Sequence, residues 1–440
     1  MQLPQHLTYR RLLRFTLPSV IMMIITSIYN VVDGFFVSNF AGKTPFAAVN
    51  FIIPFLMILG SVGFIFGTGG GALIAKTMGS GDGKKANAQF SLIVYTSVIL
   101  GVVLTVVGIL FLRPIARLMG ATGQMLEDSV RYGRIILLAL PFFILQYEFQ
   151  CLFATAGKPN LGLVVTIAAG FANILLDALF VAGFRWGLKG AAAATAISQL
   201  IGGIAPILYF GNKNQSLLRL GQCTFDGRVL LKTCTNGASE LMSNISTSLV
   251  SMLYNLQLMR YAGEAGVAAY GVLMYVSMIF QAIFLGYSVG AAPIVSYHYG
   301  AQNHSEQKSL FKKSLMLTGS CSILMFIAGE TLAKPLAFLF VGYDAHLCSM
   351  TIRAFAIFSF SFLCSGISIF GSAYFTALND GFTSAAISFM RTLVFQCAAV
   401  MIFPLFWQLD GIWYSTVAAE LLAVIVTIAF FFGKKKKYQY

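Results

Sequence analysis

Twelve apolar runs, each long enough to cross a lipid bilayer as a helix, dictate what this chain can become. They fall at roughly 13–37, 46–75, 90–112, 132–155, 161–183, 188–211, 233–258, 266–296, 314–340, 352–377, 384–408 and 411–433, and about 20 apolar residues suffice for one crossing. In hydrocarbon every backbone polar group must find a partner within the protein, so such runs become helices. Only 10% of the 440 residues are charged, against about 25% in soluble domains. A surface so poor in charge faces lipid, in keeping with a mean hydropathy of +0.81. Pro18, Pro54, Pro141 and Pro293 lie within or beside the runs and are expected bend points. The connections are short and polar and leave no room for a soluble domain. The first run is too long for a cleavable signal and is expected to stay as a membrane helix.

The 29 basic and 15 acidic residues give a formal charge of +14. In a soluble protein such an excess points to nucleic acid. Here the basic residues collect in alternate connections, where they meet anionic headgroups, and no nucleic-acid partner is expected. With the amino terminus inside, the inner segments hold Arg10, Arg11, Arg14, Lys84, Lys85, Lys213, Arg228 and Lys434 to Lys437. The outer segments hold fewer, which places both termini in the cytoplasm. Seven cysteines without a C-x-x-C pair read as packing residues rather than disulfides or metal ligands. Residues 79–85 contain Gly83 and Lys84 but lack the spacing of a phosphate-binding loop. No cofactor and no enzymatic chemistry are expected, and an ion gradient is the expected energy source.

The two halves of the chain repeat one another. A shift of about 221 residues brings Arg113-Pro114 onto Lys334-Pro335, Gly42 onto Gly263, Gly79 onto Gly300 and Leu188-x-Gly190 onto Leu409-x-Gly411. With a small gap, Tyr29-Asn30 matches Tyr254-Asn255. The expected fold is therefore an all-α integral membrane protein of twelve transmembrane helices in two six-helix bundles. Residues 1–215 form one lobe and 216–440 the other. An even number of helices per lobe keeps both lobes in one orientation, so the pseudo-two-fold axis runs along the membrane normal. Molecules built this way carry substrate between their lobes.

Charges inside hydrocarbon cost about 2.5–3.5 kcal/mol each on insertion scales and so mark cavities or partners. The candidates are Asp33, Glu148, Asp177, Glu240, Glu330, Arg391 and Glu420. Asp33 on helix 1, Asp177 on helix 5 and Thr195 on helix 6 fall at similar depth in the outer half of the first lobe. Asn173 lies one turn before Asp177 on the same face. These hard oxygens suit Na⁺, and the carboxyls alternatively hold a proton. The other reading is that they only bond neighbouring helices. Gln146, Glu148 and Gln150 read as the lining of an aqueous cavity, with a packing contact as the alternative. Glu330, one turn from Lys334, reads as an ion pair. Glu240 and Arg391, each about two turns into neighbouring helices, are expected to approach each other in at least one state of transport; the other reading is that Arg391 reaches inner-leaflet headgroups while Glu240 faces the cavity.

Tyr29-Asn30-Val31-Val32-Asp33-Gly34, Ala172-Asn173-Ile174-Leu175-Leu176-Asp177, Trp186-Gly187-x-x-Gly190 and Gly157-Lys158-Pro159 together resemble the signatures of the multidrug and toxic compound extrusion (MATE) family. The pattern is most similar to its bacterial DinF/MepA-like branch. The resemblance implies a secondary active antiporter that exports lipophilic, often cationic small molecules in exchange for H⁺ or Na⁺. It implies a cation-coupling set of Asp33, Asn173, Asp177 and Thr195, joined by Tyr132, with no metal beyond Na⁺ on the first four. Asn30, Gln146, Glu148, Glu240 and Asn255 are the candidates for the substrate cavity. It further implies a monomer in the inner (plasma) membrane, partnered by organic substrates and the bilayer. A flippase for lipid-linked precursors is the alternative. Such a protein needs a basic central cavity, which the acidic residues here oppose.

Overall fold

The computed structural model describes residues 8–37, 40, 43–118, 121–342 and 344–440. Among them there is helix and no strand. Ten helices are long and apolar enough to cross a bilayer, and the bent pair Gly123–Leu138 and Leu140–Thr155 makes an eleventh crossing. The twelfth is the arm 227–262 of the long helix Gly227–Gly300, which breaks at Gly263. This arm is long enough to cross but carries Asn236, Glu240, Asn244 and a series of serines and threonines. Its polarity comes from its position along a cavity.

The helices are numbered by crossing. They are α1 (Tyr9–Phe36), α2 (Lys43–Gly60 continuing to Gly79), α3 (Gly83–Leu118), α4 (the bent pair), α5 (Pro159–Gly183) and α6 (Gly187–Gly211). In the second half they are α7 (227–262), α8 (Ala265–Gly300), α9 (His304–Val341), α10 (Ala345–Phe358 and Phe360–Ala377), α11 (Gly381–Ile402) and α12 (Pro404–Tyr438). Of the expected bends, the sharpest falls beside Pro141, where α4 turns by 60°. A proline removes a helical hydrogen bond and crowds the preceding turn. Pro18, Pro54 and Pro293 are carried inside continuous helix.

The helices are inverted relative to those of a soluble protein. On α3 the residues Ile99, Val102, Val103, Val106, Leu110 and Phe111 are exposed, while Gln89, Ser91 and Ser97 are buried. Apolar side chains face outward because lipid is the solvent, and polar groups turn inward to find partners. The buried apolar residues fall into two large clusters in each half. A small group around Leu12, Ile294 and Leu310 joins the halves apolarly, and Val20 of α1 packs against a cluster of the second half.

At one end the halves meet tightly. Gly79 of α2 lies against the backbone of Tyr297, and Gly300 of α8 lies against the backbone of Lys76. A Cβ on either glycine would strike a carbonyl oxygen. The two glycines are repeat mates, so the contact is reciprocal about the pseudo-two-fold axis. Small residues permit such close approach of helix backbones in membranes.

Candidate functional site

π-Helical stretches run over Ile65–Gly70 in α2, Ala178–Gly183 in α5 and Met390–Val394 in α11. Such bulges frequently lie at functional sites, because they free backbone and redirect side chains. Here they adjoin Asp177 and contain Thr68 and Arg391.

In the first half, α1, α4, α5 and α6 bring one polar cluster together. Thr195 donates to Asp33 at 3.5 Å. Asp177 is fully buried, and neither of its oxygens has a hydrogen-bond partner. It lies close enough to Asp33 for the two charges to interact directly. Tyr132 is buried within the field of both carboxyls and beside Thr195. Asn173 is 2% exposed and its Oδ1 is unpartnered. Asp33, Asp177, Thr195 and Tyr132 thus lie together, and Asn173 is one turn before Asp177 on α5. One turn inward, Gln146 of α4 donates to Tyr29 at 3.3 Å, and Gln150 donates to Thr26 at 3.4 Å. These two bonds hold the inner part of α1 against α4.

A separate cavity of about 350 Å³ lies mainly within the second half. Its wall includes Thr68 of α2, Glu240, Ser243, Asn244 and Tyr254 of α7, Arg391 of α11 and Glu420 of α12. Among the described residues Glu240 has no ion-pair partner. Arg391 does not pair with it in this state. Its Nε donates to Glu420 at 3.0 and 2.9 Å, and its Nη2 lies 2.9 Å from the same carboxylate. Depth allowed either partner, and the rotation of α12 decides for Glu420.

Other expected positions differ. Glu148 is fully buried and bonded to Ser97 of α3, with Oε1 unpartnered, and it packs inside the first half rather than lining the cavity. Gln146 serves Tyr29 instead. Asn255 is exposed on the outer face of α7, and its neighbour Tyr254 takes the cavity wall. The side chain of Asn30 lies outside the described residues. Glu330 bonds Ser359 of α10 rather than Lys334.

Sequence reasoning missed the second half's counterpart of the Asp33 cluster. Tyr254 donates to Gln396 at 2.8 Å, and Thr416 lies 2.9 Å from the same hydroxyl. A strict shift of about 221 residues puts Tyr254 in the place of Asp33 and Thr416 in the place of Thr195.

The MatE family model matches the chain twice, over residues 18–179 and 241–402. The chain is 24% identical over 425 residues to the multidrug export protein MepA of Staphylococcus saprophyticus, covering 96% of this chain and 92% of that protein. It is 24% identical over 417 residues to MepA of Staphylococcus aureus strain MRSA252, covering 94% and 92%. Among solved structures, a MATE transporter in its straight conformation superposes with a TM-score of 0.93 at 22% identity, covering 98% of this chain and 97% of that one. An outward-facing multidrug resistance MATE transporter superposes with 0.91 at 23% identity, covering 97% and 96%. A twelve-helix fold in two bundles and two matches of one family model, one in each half, lead to one assignment: the chain belongs to the MatE family and is a membrane transporter, not an enzyme.

Proposed function

We propose that the protein is a secondary active multidrug efflux antiporter that exports organic, often cationic compounds in exchange for H⁺ or Na⁺. The observation that carries this reading is Asp177, buried with both oxygens unpartnered and facing Asp33. Two uncompensated carboxylates at that depth are costly, so the site calls for an exchangeable positive charge. A proton would neutralise the pair. Na⁺ would find hard oxygens on Asp33, Asp177, Asn173 and Thr195. Taking up the ion relieves repulsion and draws α1 toward α5 and α6, and releasing it restores the repulsion. The two packings of α1 bias the halves toward opposite openings.

The compound to be exported occupies the cavity of the second half, where Glu240 supplies a free negative charge. The multidrug export relatives support this use. The flippase alternative fits poorly, because the basic group in the wall, Arg391, is already neutralised by Glu420. With the tight end at Gly79 and Gly300 in the cytoplasm, the arrangement is outward-facing. The protein would act as a monomer in the bacterial inner membrane with both termini cytoplasmic. Asp33→Asn and Asp177→Asn should each abolish gradient-driven efflux at normal expression, and Thr195→Val should weaken its dependence on Na⁺ and pH. Wild-type efflux in both aspartate variants overturns the coupling role.

A further inference from the structure

The wall of the cavity is rich in hydroxyls and amides, and those around Glu240 and Arg391 turn their hydrogens away from it. Thr68 donates to the carbonyl of Phe64 at 2.7 Å, and Ser243 donates to Ser239 at 2.9 Å. Thr247 donates to Ser243 at 2.8 Å, and Thr392 donates to Ser388 at 2.7 Å. Each hydroxyl spends its one hydrogen on its own helix, as serines and threonines in helices do. Its oxygen lone pairs are left toward the cavity. The amide of Asn244 behaves alike. Its Nδ2 donates to the carbonyl of Glu240 at 2.9 Å. A carbonyl only accepts, so the orientation is fixed and Oδ1 is free to accept. The carboxylate of Glu240 adds the negative charge. On the donor side the lining holds no lysine or histidine, Arg391 is engaged by Glu420, and the donors left are neutral, among them the hydroxyls of Ser288 and Ser368 and the amide of Gln396.

From this asymmetry we propose that the cavity selects organic cations carrying N–H donors, namely protonated primary or secondary amines and guanidines, over quaternary ammonium ions of equal charge. This rests on the cation-export reading. The physical contrast is sharp. An N–H cation is held more tightly by water than a quaternary one, so an apolar pocket with one carboxylate favours the quaternary ion. The order reverses only where acceptors replace the lost water. A cavity of acceptors also rejects a ligand that leaves them unpaired, because each buried unpaired group carries its desolvation cost. Aromatic caging of a quaternary ion is not offered by Tyr254 and Tyr270. Their rings stack on each other at 5.2 Å and 6°, and the face each turns to its partner is closed to a ligand.

The test is calorimetric binding to the purified full chain of three cations with one common tail: 4-phenylbutylguanidinium, 4-phenylbutylammonium and 4-phenylbutyltrimethylammonium. The first two should bind at least tenfold tighter than the third, a difference of about 1.4 kcal/mol. Asn244→Leu should shrink this ratio. Thr247→Val, nearly unchanged in shape, should shrink it too without loss of folded protein. Equal or tighter binding of the trimethylammonium ion overturns the selectivity and leaves cation export standing. A ratio unchanged in both variants overturns the assignment to these acceptors. Failure of all three cations to bind overturns the export reading itself.

Discussion

The Arg391–Glu420 pair gives the most quantitative handle on the second half. The side chains are 13% and 5% exposed, and three nitrogen–oxygen contacts of 2.9–3.0 Å join them. Removing one partner of a buried pair typically costs about 3–5 kcal/mol, because the other charge is stranded. The pair borders a cavity, whose water recovers part of that, so Arg391→Gln should cost about 2–3 kcal/mol. Replacing both residues by glutamine leaves two amides able to bond each other and should cost about 1 kcal/mol or less. The cycle should therefore show a coupling of roughly 2–3 kcal/mol. The assay is heat-induced loss of monodisperse full-length protein in detergent for the wild type, both singles and the double. Additive losses of thermal midpoint would refute the coupling, and with it the pairing.

Two further outcomes are expected. Asp380, between α10 and α11, is pushed up by burial but is held below the usual carboxylate range by hydrogen bonds from Tyr438 and Thr383 and by the charge of Lys434. A depressed carboxyl stabilises the fold above its unfolded value of about 3.9 and loses that contribution as pH falls through its folded value. The thermal midpoints of wild type and Asp380→Asn should thus differ most at neutral pH and converge toward pH 3, and a constant gap would refute the assignment. Gly300→Ala should force the tight end apart, because its Cβ meets the Lys76 carbonyl. Spin labels on Ser80 and Gln302 should then report longer distances, and an unchanged distribution would contradict the contact.

Much of this molecule is legible in its sequence, and the exceptions share a cause. Helix number and depth follow from apolar length and the rise of about 1.5 Å per residue. That is why Asp33, Asn173, Asp177 and Thr195 could be placed together from three separate helices. Rotation about the helix axis is harder to read. It separates Glu420 from Glu240 as the partner of Arg391. It also splits Gln146, Glu148 and Gln150. Positions i and i+4 share a helix face while i+2 lies opposite, so Gln146 and Gln150 turn to α1 and Glu148 turns to Ser97 of α3. Asn255 was misplaced by admitting a gap into the repeat, whereas the ungapped shift carries Asn30 to Ser251, which lies on the cavity wall. The arm 227–262 is a crossing whose polarity belongs to the cavity, so composition alone undercounts it.

The repeat explains why the two halves need different partners. In the second half Tyr254 donates to Gln396, and Thr416 can donate to Tyr254, so both hydroxyl hydrogens in that trio have acceptors and the trio carries no charge. Such a set is complete within the protein. In the first half the same helices present Asp33 and Asp177 to Thr195 and Tyr132. One hydroxyl from Thr195 and one from Tyr132 cannot satisfy two carboxylates with four oxygens, and Asp177 is left facing the Asp33 carboxyl rather than a donor. The deficit is one of charge as much as of hydrogen bonds, and packing cannot remove it. A duplicated architecture has thereby become asymmetric. One half carries an uncharged trio beside a cavity, and the other carries two carboxyls facing each other.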